Sequence, residues 1–258
     1  YKYFYSPDNI VVSISSNLAF STIDKYVKTT FGRHKNKSTR TCKRYLPDYS
    51  VKFNRNSVLC INKNLKQVHI SIGFRTCNIN DPDYYILNMI SIILSGNMSS
   101  LLFIKLREEA GISYSSSTDV TSFQEKGCFI IETAVNPNKV VDSNKKGAVS
   151  IIVDVLQTLL RKGVSAKQLS NAKGYLKGHM SLNTEDISSI SGYNGYNYLF
   201  DSGDKHISLK NVYEKRYSSI TKQQINIILR KYFISNNMYC CFLGKNVKKM
   251  KKKITIEL

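Results

Sequence analysis

Residues 65–75 read LKQVHISIGFR, and from Val68 onward apolar side chains alternate with the rest. An alternation of period two gives a strand with one apolar face. Such a strand needs partner strands along its edges and a cover over its apolar side, so the remainder of the chain has to supply both. KGCFIIETAV (126–135) and ISYSSSTDVTSF (112–123) read as neighbouring strands joined by Gln124 to Gly127, and MYCCFLG (238–244) reads as a final strand. IVVSIS (10–15), short and β-branched, reads as another.

The cover comes from helices. STIDKYVKTTFG (21–32) reads as a helix ended by Gly32. DPDYYILNMISIILSG (81–96) starts at Asp81-Pro82 and stops at Ser95-Gly96, and NMSSLLFIKLREEAG (97–111) begins a second helix, capped by Ser99 or Ser100 and ended by Gly111. SNKKGAVSIIVDVLQTLLRK (143–162) has a broad apolar face, with residues 148, 152, 155 and 159 in one row. SAKQLSNAKGYLKGHM (165–180) opens with Ser165 and Gln168 at capping-box spacing, and TKQQINIILRKYF (221–233) repeats the box with Thr221 and Gln224. Antiparallel strands mixed with long helices define an α+β class.

The chain has 258 residues, enough for one large domain or two small ones. Its net charge of +20 raises nucleic acid, anionic membranes and acidic peptides as partners. The basic residues are scattered, however. The two clusters, RHKNKSTRTCKR (33–44) and KNVKKMKKK (245–253), lack the interleaved aromatics of a single-strand binding groove, so nucleic acid is set aside. No apolar run is long enough to span a bilayer. The six cysteines form no C-x-x-C pair, and Cys240 and Cys241 read as small core residues; a reducing compartment, cytoplasm or matrix-like, is expected. The chain opens YKYFYSPDNI without methionine and is expected to be part of a larger product.

Four segments in register resemble one family. YSPDNIVVSISSNL, KQVHISIGF, GNMSSLLFIKLREEAGISYSSSTDVTSF and VSAKQLSNAKGYLKGHMSLNTED are similar to successive stretches of the M16 zinc peptidases, which include the mitochondrial processing peptidase and related bacterial enzymes. The likeness runs from about residue 3 to about residue 245. It implies an antiparallel sheet covered on one face by helices, preceded by the last strand and helix of a similar domain. On that basis residues 1–32 end an N-terminal domain, 33–58 form a basic linker and 59–258 form a C-terminal domain.

The resemblance also implies roles for two residues within LREEAGISY. Tyr114 would offer its hydroxyl to the oxyanion of a tetrahedral intermediate, and Arg107 would hold the substrate backbone. A phenol is a neutral donor that can aim at developing charge, and a guanidinium is a permanently charged fork. The family's zinc motif, H-x-x-E-H, is absent: His34, His69, His179 and His206 have no second histidine at the needed spacing. Zinc is therefore expected in the complete enzyme and not on this chain. The implied partners are an extended or unfolded peptide and an N-terminal zinc-binding half, in cis or on a partner subunit; the resemblance also allows a dimer. The chain departs from the family where a leucine follows M-S-S in place of arginine and where Asn97 interrupts the glycine turn. Those departures leave open a non-catalytic scaffold or peptide-binding subunit.

Overall fold

A computed structural model describes residues 5, 7–33, 57–142, 146–200, 207–251, 254 and 258. The expected linker at 33–58, the histidines His34 and His206, and Cys42 lie almost wholly outside these residues. The chain forms two compact units. The larger comprises residues 53–179 and 211–258, and the smaller comprises residues 1–52 and 180–210.

The larger unit is built on a five-stranded sheet of β1 (Ser57–Asn62), β2 (Val68–Thr76), β3 (Ser113–Ser122), β4 (Gly127–Val135) and β5 (Met238–Gly244), in the order β1-β5-β2-β4-β3. β2 pairs antiparallel with β4 on one side and with β5 on the other. β3 pairs antiparallel with β4, and β1 alone runs parallel to its neighbour, β5. Alternation in β2 sends Val68, Ile70, Ile72 and Phe74 to one face, where all are buried. Phe129 and Ile131 of β4 and Met238, Cys240 and Phe242 of β5 join them.

Helices cover that face. α2 (Asp83–Ser95) is apolar on nearly every side and buries Leu87, Met89, Ile90, Ile93 and Leu94. α3 (Ala148–Lys162) buries the row read from its sequence, including Ile152, Val155 and Leu159. α7 (Lys222–Tyr232) packs on β2 and touches both α2 and α3. Phe233, at its end, sits 4.7 Å from Phe74 and 4.9 Å from Phe129 by ring centroids, an aromatic cluster over the centre of the sheet. The opposite sheet face carries His69, Ser71, Arg75 and Glu132, together with Leu59 and Ile61, which are exposed.

Both capping boxes read from the sequence form. Ser165 Oγ accepts from Gln168 N and Gln168 Oε1 accepts from Ser165 N at the start of α4 (Ala166–Asn183). Thr221 and Gln224 do the same for α7. The joint between α3 and α4 turns at Gly163, whose φ of +70° suits glycine and whose missing side chain admits Asn226 of α7. Asn226 Oδ1 in turn accepts from Val164 N at 3.3 Å.

The smaller unit holds α1 (Phe20–Thr30) and α5 (Ile187–Phe200). α5 arises from a polar, tyrosine-rich run with no apolar stripe, which the sequence did not mark as a helix. Gly195 of α5 approaches Ser13 so closely that an added Cβ would lie 2.9 Å from the serine Cβ. Residues 10–15, expected as the last strand of a preceding domain, are paired by no ladder among the described residues. Their burial still alternates, leaving Ile10, Val12 and Ile14 exposed. A strand is made by its partners, and side-chain alternation alone does not create it. The adjacent cysteines also divide. Cys240 is buried, whereas Cys241 points to the uncovered face and is only half-buried.

Two predictions follow from this packing. Gly163→Ala forces a side chain into a left-handed backbone and against Asn226, so it should cost about 1–3 kcal/mol in urea denaturation. Burial pushes the Cys240 thiol from the usual 9.0 up to about 12 and the Cys77 thiol up to about 11. A raised thiol pKa means the unfolded chain ionises first, so stability is intact below pH 9 and falls from there toward pH 12. The denaturation midpoint of Cys240→Ala should fall less steeply over that range than that of the parent.

Candidate functional site

Arg107 and Tyr114 stand at the junction between a helical segment and the edge strand β3. The helix expected at 97–111 forms but is not wound as an α-helix throughout. Ile104 N donates to Ser100 O at 3.0 Å, at α spacing, but residues Phe103–Glu109 widen into a π-helix, and Ala110 N reaches back to Lys105 O at 3.2 Å. π segments of this kind often lie at functional sites because they re-aim side chains. The expected serine caps also differ: Asn97 Oδ1, not a serine hydroxyl, accepts from Ser99 N at 2.8 Å. Gly111, at φ +60°, then ends the helix, and Ile112 N closes the turn onto Leu106 O.

The winding puts Arg107 between two rings. Its guanidinium carbon lies 4.9 Å from the centroid of Phe103, one α turn earlier, and 4.7 Å from that of Tyr114. Nη1 donates to the Tyr114 carbonyl at 3.3 Å. The structure thus brings together the two residues singled out from the sequence. Arg107 is exposed and Tyr114 is 78% exposed, so the pair faces solvent. The Tyr114 hydroxyl has no partner among the described residues, and the guanidinium keeps donors beyond the one it spends on the backbone.

The aim of Tyr114 is set by a β-bulge. Ser113 pairs with Val135 and Ser116 with Thr133, so β3 carries one residue more than β4 across this interval. Tyr114 and Ser115 together stand opposite the single residue Ala134. A bulge of this type bends the strand and turns a side chain away from the pleat. Hydroxyls hold it. Ser113 Oγ and Thr133 Oγ1 are 2.6 Å apart, and they lie 2.8 and 3.0 Å from the Ser115 carbonyl; with one proton each, one hydroxyl donates to the other and the other donates to the carbonyl. Ser113 and Thr133 are each 6% exposed, so these bonds are made out of water. Sequence reading missed Phe103, Ser113 and Thr133. Only the i, i+4 spacing of Phe103 and Arg107 was a signal for the first, and the pairing of β3 with β4 had to be known for the others.

Among the described residues no group of three His, Cys, Asp or Glu side chains could hold a metal ion. His69 lies on the uncovered face of β2, and His179 lies on α4, with its ring 6.0 Å from that of Tyr175. No helix among the described residues is long and apolar enough to cross a membrane.

The peptidase M16 inactive domain matches residues 1–176, so the chain belongs to the M16 peptidase family. The uncharacterized zinc protease YmxG of Bacillus subtilis is 28% identical over 230 residues, covering 89% of this chain and 53% of that protein. Among solved structures, a protease from Helicobacter pylori superposes with a TM-score of 0.75 at 16% identity, over 88% of this chain and 53% of that one. The peptidase M16 inactive domain from Pseudomonas fluorescens gives 0.72 at 19% identity, over 89% and 52%. These two similarities concern the fold. The chain spans about half the length of the relatives it matches.

The bulge can be tested directly. Thr133→Ser keeps the hydroxyl and should leave the urea midpoint close to the parent's. Thr133→Val leaves Ser113 Oγ and the Ser115 carbonyl each short of a buried partner, and should cost about 1–3 kcal/mol.

Proposed function

We propose that this chain is the substrate-clamping part of an M16-type zinc endopeptidase acting on extended peptides, with the zinc-binding H-x-x-E-H half outside the chain. The observation that carries this reading is the exposed pair Arg107 and Tyr114, stacked at 4.7 Å on a hydroxyl-braced bulge. Family membership and the zinc-protease name of the Bacillus relative support it. The described residues do not fit zinc, so the chemistry assigned to this chain is confined to its own side chains.

In this reading an extended peptide lies past the start of β3. The Arg107 guanidinium, held in place by Phe103 and Tyr114, donates to a backbone carbonyl of the peptide. The Tyr114 hydroxyl donates to the oxyanion that develops when water adds to the scissile carbonyl. A neutral phenol favours that oxyanion more than the ground-state carbonyl, which is what acceleration requires. The N-terminal half would be met in cis or on a partner subunit, and assembly as a dimer belongs to the same proposal. A reducing compartment suits the free thiols of Cys60, Cys77, Cys128, Cys240 and Cys241.

The test uses the full-length protein that contains this chain. Tyr114→Phe should lower kcat by about 10²–10³-fold with KM and zinc content little changed. Arg107→Ala should act mainly on KM. A zinc-loaded, active parent whose turnover survives both substitutions would overturn the clamp and leave a scaffold or peptide-binding subunit.

A further inference from the structure

A pocket of about 330 Å³, lined by neither Arg107 nor Tyr114, lies between the end of α2, the turn at 97–101 and the first turns of α4. Its volume is at the small end of ligand pockets, roughly 300–1,000 Å³. Ile92, Ile93, Leu101 and Ile104 supply an apolar wall. Asn97, Ser100, Lys167, Gln168 and Asn171 supply the polar lining, and none of the lining residues is acidic.

The polar lining is biased toward donors, and the bias has a structural cause. Gln168 spends its carbonyl oxygen on Ser165 N at 2.7 Å, as half of the α4 capping box. Asn97 spends its own on Ser99 N at 2.8 Å. Each amide is left with its NH₂ group, which can only donate. The Lys167 ammonium also only donates, and has no acidic partner among the described residues. Ser100 is 3% exposed, and its hydroxyl finds no partner. The α4 N-terminus adds positive potential on the same side.

We infer that this pocket binds a carboxylate carried on a small aliphatic group. The carboxylate accepts from Lys167 and the two amides, and the aliphatic part lies against Ile92, Ile93 and Ile104. A peptide C-terminus and a free branched-chain acid share this chemistry. The site shares no lining residue with the Arg107–Tyr114 pair.

The chain as it stands suffices for the test. Isothermal titration is run with N-acetyl-leucine, N-acetyl-leucinamide, 4-methylpentanoate and acetyl-Ala-Ala-Leu. The acids should bind about tenfold or more tightly than the amide, since the amide forfeits the charged hydrogen bonds. Lys167→Met should weaken acid binding by about tenfold. Tighter binding of the tripeptide than of 4-methylpentanoate marks a peptide terminus as the ligand; the reverse marks a free acid. Equal affinity for acid and amide, or no saturation by any acid below about 10 mM, overturns the inference.

Discussion

Burial of one face of β2 is the interaction on which the larger unit rests. Val68, Ile70, Ile72 and Phe74 lie buried on the face that the helices cover, and β2 is flanked by β4 and β5, so its hydrogen-bonding groups are paired on both edges. Each side chain of this size contributes about 1.5–3 kcal/mol when removed from water. A slip of one residue would turn the whole row to the uncovered face, so the burial also fixes register. Register then fixes where β4 ends and where Thr133 stands opposite β3. The bulge that aims Tyr114 is in that sense a downstream result of packing at Phe74 and Phe129.

The site illustrates how a fold can place an exposed pair with precision. Neither Arg107 nor Tyr114 is buried, and exposed side chains of this length ordinarily sample several rotamers. Here the restraint comes from beneath. Phe103 supports the guanidinium from its own helix, and the Ser113–Thr133 hydroxyl pair holds the backbone that carries the tyrosine. Rigid scaffolds bearing functional side chains at element junctions are the usual arrangement where geometry matters.

Much of the scaffold was legible because its signal is periodic. β2, β4, β5 and α7 lie close to where alternation and helical spacing put them, and both capping boxes formed where Ser165–Gln168 and Thr221–Gln224 were read. What was hidden depended on partners distant in sequence. β1 exists through β5, some 180 residues later, and residues 10–15 lack such a partner among those described. α5 has too few apolar side chains to show a stripe. The π winding is a shift in hydrogen-bond register, which side-chain periodicity does not record. For the site, family resemblance supplied Arg107 and Tyr114, but the YSSS run gave no hint that an extra residue would be folded out beside Ser113.

The place of β5 has a consequence for assembly during synthesis. It is inserted between β1 and β2, so the hydrogen-bonding edge of β2 that faces β1 stays open until Gly244 has been made. β2, β3 and β4 are close in sequence and can meet early, whereas β1 has nothing in this sheet to pair with until β5 has been made. The nascent sheet therefore carries an unprotected edge bearing Val68, Ile70 and Ile72 while residues 77–237 are made, which is the arrangement that invites chaperone binding or wrong strand pairing. The last strand to arrive is the one that closes that gap.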